Sequence, residues 1–295
     1  MNPDRHVMIL DGATGTELGR RGVDISLPLW STRALFAAPD VLADVHRDYL
    51  DAGADTITAN TFRTHRRVLA HEPDAHGALD ATELTRTAVR IAREIRDEHK
   101  PGALVFGSVA PLEDCYRPDL APGADDCARE HAELITTLVE AGVDRVLIET
   151  MNNLTETRAA VDAARRFAPD RWMVSFCTDR TAPPGTLLSG EPVEAMLDEL
   201  HEAVAVGVNC VAAPDVERQV AFLRGRLPDA VAIIAYANIG YADKHGNWVP
   251  TDAVAPDRYA AYAASWVEAG ASIIGGCCGT TPATIAAVTG RLRGA

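Results

Sequence analysis

Two cysteines stand side by side in Gly275-Gly276-Cys277-Cys278-Gly279-Thr280-Thr281-Pro282, directly after the apolar pair Ile273-Ile274. Neighbouring side chains inside a strand point to opposite faces. Past a strand end, where Gly276 and Gly279 let the backbone turn, both sulfurs can aim at one point. Such a pair of thiolates suits a soft metal ion, zinc before others. Two ligands do not complete a site, so the rest of the chain must supply more. Cys210 ends the run Gly207-Val208-Asn209-Cys210. The residues alone leave it evenly divided between a third ligand and a core thiol. Cys115, Cys127 and Cys177 have no partner at metal-ligand spacing and read as small buried hydrophobes. Six cysteines in 295 residues do not make a disulfide scaffold.

Other chemistries find little support. His46, His99, His131 and His201 fall within helical patterns, and only His245, in a loop, stays open. A Ser-His-Asp hydrolase lacks its Gly-x-Ser-x-Gly turn. With 28 basic residues against 42 acidic ones, the formal charge of −14 argues against binding nucleic acid or anionic membrane. No leader-like segment precedes Val7, and no apolar run approaches a membrane span, so a cytoplasmic protein is expected.

Positioning these cysteines takes a scaffold, and its elements are legible. Eight β-type runs lie near Val7–Asp11, Thr56–Ala59, Leu104–Ser108, Arg145–Glu149, Trp172–Cys177, Ala205–Asn209, Ala232–Ala237 and Ser272–Gly275, with amphipathic helical runs between them. Ala52-Gly53-Ala54, Ala141-Gly142-Val143 and Ala269-Gly270-Ala271 each follow a helix and precede a strand, as left-handed caps do. Helix, glycine cap and strand in alternation describe parallel βα units. Residues 1–295 are therefore expected to form one domain, a single (β/α)8 TIM barrel, with a doubly wound open sheet as runner-up. The segment Asp11-Gly12-Ala13-Thr14-Gly15-Thr16 lacks the third glycine of a dinucleotide fingerprint.

A barrel gathers its strand ends on one face. Cys210 then lies two strands from Cys277 and Cys278, and the metal reading of all three is favoured. Three thiolates with a labile fourth position describe a catalytic zinc. Their negative charge makes the ion a poor source of hydroxide. It makes a good holder of a substrate thiol, which the metal deprotonates. The expected chemistry is attack of that sulfur on an alkyl group.

At this point the sequence resembles the homocysteine S-methyltransferase family. The resemblance rests on Asp11-Gly12-Ala13-Thr14-Gly15-Thr16-Glu17-Leu18, Ala59-Asn60-Thr61-Phe62, Ile148-Glu149-Thr150, Gly207-Val208-Asn209-Cys210, Tyr236-Ala237-Asn238-Ile239-Gly240 and the double-cysteine stretch, in order along nearly the whole chain. It implies a (β/α)8 barrel with zinc on Cys210, Cys277 and Cys278. It also implies Asn238 beside the ion, at the fourth position until substrate displaces it. Glu149 matches the acid that holds the amino acid's ammonium. Asp11, Gly12 and Ala13 match the turn whose N–H groups receive its carboxylate. Trp30 matches a tryptophan near the pocket.

The expected reaction moves a methyl group from a small onium donor to homocysteine, giving methionine. S-methylmethionine or S-adenosylmethionine is favoured as donor. Betaine, a corrinoid partner, or another thiol or selenol acceptor are the alternatives. The sequence departs from the family pattern at Ala237, where many members carry proline, and in Gly107-Ser108-Val109-Ala110-Pro111, where alanine replaces a common glycine and the chain runs on into the loop Glu113–Arg117. Its Glu113, Asp114 and Tyr116 suit either a cationic donor or a solvated loop. Partners are expected to be small molecules, with self-association into a homo-oligomer left open. The competing classes are a zinc lyase or hydrolase, which needs a water position and a general base, and a non-catalytic barrel with a structural zinc.

Overall fold

A computed structural model describes residues 7–72, 80–243 and 247–294. The open histidine, His245, lies outside the described residues. The strands are β1 (Met8–Ile9), β2 (Thr56–Ala59), β3 (Leu104–Val109), β4 (Arg145–Met151), β5 (Trp172–Phe176), β6 (Ala205–Ala212), β7 (Ala232–Asn238), β8 (Gly240–Ala242), β9 (Trp248–Pro250) and β10 (Ile273–Gly276). Eight of them make one parallel sheet in the order β1-β10-β7-β6-β5-β4-β3-β2. Helices fill the connections, so the fold is the expected (β/α)8 barrel. The glycines foreseen as caps, Gly53, Gly142 and Gly270, all have the positive φ that the turn from helix to strand requires.

β1 and β2 do not share a regular ladder, and aspartates join them. Asp55 N donates to Ile9 O at 2.7 Å, and Ile9 N donates to Asp55 Oδ2 at 2.9 Å. Two residues on, Thr58 gives its N–H and its hydroxyl to the Asp11 carboxylate at 2.7 and 2.9 Å. The barrel closes through one backbone bond and three bonds to aspartate carboxylates, where β1, only two residues long, offers too little backbone for a ladder.

The interior is filled. Leu10, Phe106, Leu147, Met173, Ala205, Ile234, Tyr236 and Ile273 form a buried plug inside the strands, separate from the larger core between strands and helices. Gly207 is part of this fit. A Cβ there would lie 1.7 Å from Ile234 O, so β6 and β7 approach as closely as glycine allows. One connection adds strands to the βα pattern. The segment between β7 and the helix Pro256–Glu268 carries the antiparallel pair β8 and β9, which brings Trp248 against Gly240. Its apolar residues are too few and too interrupted for the sequence to signal a hairpin.

Candidate metal centre and substrate cavity

Cys210 reaches the other two cysteines through a local break in β6. The β6–β7 register shifts between Asn209 and Ala212, and Cys210 has φ +53°. A non-glycine residue held there costs on the order of 1–3 kcal/mol, which surrounding contacts must offset. The bulge re-aims the side chain from the barrel wall toward β10. Beyond β10, Cys277 N–H is tied to Ala237 O at 2.8 Å and Cys278 N–H to Asn238 Oδ1 at 3.0 Å. Gly279, at φ +84°, turns the chain, and its N–H meets Thr16 Oγ1 at 2.9 Å. Thr281 then caps the closing helix through a reciprocal capping box with Thr284.

The result is a cluster in which the sulfurs of Cys210, Cys277 and Cys278 all lie within 4.8 Å of one another. Cys210 and Cys277 are 2.8 Å apart. Sulfurs on a tetrahedral zinc with 2.3 Å bonds are about 3.8 Å apart, so the cluster has the right span and Cys210 and Cys277 would part by about 1 Å to take the ion. The cluster shares protons. Hydrogen bonding to Cys277 and Cys278, with burial, pushes the Cys210 thiol far up. Hydrogen bonds from Cys210 and Cys277 hold Cys278 well below the ordinary thiol range. A thiolate already stabilised by neighbouring protons is a position a cation can take over. Three soft donors converging on one point, with no carboxylate or imidazole among them, fit zinc.

Outer contacts fix these donors. Asn238 spans two of them: its Nδ2 donates to Cys210 O at 3.0 Å, while its Oδ1 accepts from Cys278 N–H. The same Nδ2 donates to Tyr116 Oη at 3.3 Å. Thr150 Oγ1 donates to Cys210 Sγ at 3.7 Å, and Cys177 Sγ donates to Cys210 O at 3.8 Å.

The cluster opens on a cavity of about 570 Å³. Asp11, Ser108, Glu149 and Tyr236 form its buried floor. Leu27, Tyr116 and Trp248, all substantially exposed, rim it. Glu149 stands at the end of β4, where the β4–β5 register also shifts and Thr150 has φ +62°. Its carboxylate accepts from Ser108 Oγ at 2.5 Å, Tyr236 Oη at 3.1 Å and Asn209 Nδ2 at 3.3 Å. Burial outweighs these bonds and pushes its pKa up to about 7. Burial raises Asp11 to about 7 as well, against the Thr58 bonds that lower it.

Residues 8–292 match the family model described as homocysteine S-methyltransferase. The chain belongs to this family. Homocysteine S-methyltransferase 1 of Zea mays is 32% identical, over 97% of this chain and 94% of that one. Homocysteine S-methyltransferase YbgG of Bacillus subtilis is also 32% identical, over 97% and 96%. The crystal structure of the Escherichia coli homocysteine methyltransferase MmuM in its metallated form superposes with a TM-score of 0.82 at 29% identity, covering 98% of this chain and 97% of that one.

The family resemblance singled out nine positions, and eight of them line this one cavity: Asp11, Gly12, Ala13, Trp30, Glu149, Cys210, Cys277 and Cys278. Asn238 sits behind the wall, between the cysteines. Ala13 N–H is spent on Thr280 Oγ1 at 3.1 Å, and among the described residues none accepts the Gly12 N–H. Trp30 lies over Gly15, where a Cβ would meet its ring at 2.3 Å, and packs edge-on against Phe62.

The Glu113–Arg117 loop divides. Glu113 pairs with Arg67 and Arg117 with Asp119, whereas Asp114, Cys115 and Tyr116 line the cavity. Cys127 and Cys177 are buried as expected; Cys115 is half-buried at the cavity wall instead. Sequence reasoning assigned no role to Ser108, Asn209, Thr150, Tyr236 and Thr58. Each is polar at a strand end or inside the barrel, a signal that becomes visible only once pairing is known.

Proposed function

We propose that this chain, acting as one barrel domain in the cytoplasm, moves a methyl group from a small onium donor to the thiol of homocysteine, giving methionine. S-methylmethionine or S-adenosylmethionine is the favoured donor. The observation that carries the reading is the sharing of one cavity by a three-sulfur centre and a buried acid braced by three donors. A thiol and an ammonium can be held there together.

Cys210, Cys277 and Cys278 would hold zinc, which supplies a Lewis acid that keeps the substrate sulfur as a thiolate. Glu149 takes the ammonium of homocysteine, and Ser108, Tyr236 and Asn209 fix the direction of its carboxylate. An incoming cation favours the ionised form and draws the raised pKa down. The Gly12 turn offers an N–H to the substrate carboxylate. Asn238 holds the backbones of Cys210 and Cys278 in register. Trp30 walls the cavity against water. In the transfer the sulfur lone pair forms the new S–CH3 bond while the bond from methyl to the onium atom breaks. The departing group keeps that electron pair and leaves neutral, so no proton moves at the carbon.

The test is methionine formation from homocysteine with S-methylmethionine, S-adenosylmethionine or betaine, with and without a chelator. Product with at least one donor, abolished by the chelator and restored by zinc, is expected. No product with any donor would remove homocysteine as acceptor and leave selenocysteine or another thiol.

A further inference from the structure

The formally charged side chains on the cavity wall are the acids Asp11, Asp114 and Glu149, with one exception. Arg63, in the loop after β2, is the only basic residue on its wall among the described residues. It is half-buried. The two arginines that follow it in the chain are paired: Arg66 with Glu133, Arg67 with Glu113 and Glu130. Among the described residues Arg63 has no ion pair and no hydrogen bond. A partly desolvated guanidinium without an anion costs free energy that a bound anion would recover. It lines the same cavity as Asp114, Cys115 and the three clustered cysteines.

We propose that Arg63 receives a carboxylate on the methyl donor, selecting onium compounds that carry one. This rests on the methyl-transfer reading above. An onium group is drawn into an acidic cavity, but a carboxylate on the same molecule is repelled by Asp11, Glu149 and Asp114. Arg63 is the one group that reverses this, and its planar fork suits a carboxylate. Homocysteine already has Glu149 and the Gly12 turn for its two charges, which leaves Arg63 for the second substrate.

The experiment compares matched donors with and without the carboxylate: S-methylmethionine against (3-aminopropyl)dimethylsulfonium, and betaine against choline. Binding to the zinc-loaded protein is followed by tryptophan fluorescence, since Trp30 and Trp248 line the cavity, and transfer is followed by methionine formation. Wild type is expected to prefer the carboxylate-bearing member of one pair by about 10- to 100-fold, the range of a charge-assisted contact. The responding pair tells a sulfonium amino acid from a betaine. Arg63→Gln should erase the preference, Arg63→Lys should keep part of it, and the KM for homocysteine should not move. No preference in wild type in either pair, or an unchanged preference in Arg63→Gln, would overturn the assignment. So would a rise in homocysteine KM, which would put Arg63 on the acceptor. If no donor yields methionine, the methyl-transfer reading fails, and the binding preference still decides what Arg63 recognises.

Discussion

At the scale of single residues, the metal cluster and Glu149 make separable claims. Cys278 is tied into the fold through its backbone N–H, which a side-chain change leaves in place. Cys278→Ala should therefore fold, as far-ultraviolet circular dichroism would record, yet bind little zinc and lose methyl transfer. An unfolded variant would point to a structural metal instead. Glu149 must be ionised to hold an ammonium, and its pKa stands at about 7. The KM for homocysteine should be lowest above that pH and rise about tenfold per unit below it. Glu149→Gln should raise the KM by about 10- to 100-fold, the range of one charge-assisted bond, and flatten the pH dependence. A Gln variant that keeps the wild-type pH profile would assign the titration to another group.

At the scale of elements, β4 and β6 share one device. Each ends in a register shift and a residue at positive φ, Thr150 in one and Cys210 in the other. Asn209 binds the two ends together, with its Oδ1 accepting from Thr150 N–H at 2.8 Å. The bulges thus hold Glu149 and Cys210 in a fixed relation. The close β6–β7 approach at Gly207 supports it. Gly207→Ala places a methyl on a backbone oxygen that cannot retreat. It should cost about 3 kcal/mol or more in urea unfolding. Gly102→Ala, which meets nothing within 4 Å, should change stability by less than about 0.5 kcal/mol.

The strands themselves and the cap glycines were legible in sequence because apolar runs and Ala-Gly turns carry local signals. The bulges were not, since Cys210 and Thr150 look ordinary in a list of residues and their φ values follow from the pairing of neighbouring strands. The aspartate seam between β1 and β2 was hidden for the same reason. Asp11 reads in sequence as part of a substrate turn, and its carboxylate additionally takes two bonds from Thr58.

At the scale of the whole molecule, the fold buries groups whose protonation couples to stability. Burial alone lowers His46 to about 4, and neither ring nitrogen has a partner among the described residues. A depressed histidine stays neutral when the unfolded chain takes up a proton, so stability falls as pH drops from about 6.5 toward 4. At about pH 5 this residue should account for about 2 kcal/mol of lost stability. His46→Leu should show less of this loss between about pH 7 and 5 in urea unfolding, and an equal loss would exclude His46 as its source.

The barrel also decides which distant residues meet. Double cysteine, Asn-Cys and Glu-Thr motifs 60 to 130 residues apart were readable as members of one site because parallel strands present their ends together. Arg63 and Trp248 carried no such motif and emerged only from the cavity wall. The site's central claim is a sulfur centre that accepts a fourth sulfur. Zinc K-edge X-ray absorption on the zinc-loaded protein, before and after homocysteine, measures it directly. The zinc shell should pass from three sulfurs and one lighter atom to four sulfurs; a shell that homocysteine leaves unchanged would contradict thiol activation at Cys210, Cys277 and Cys278.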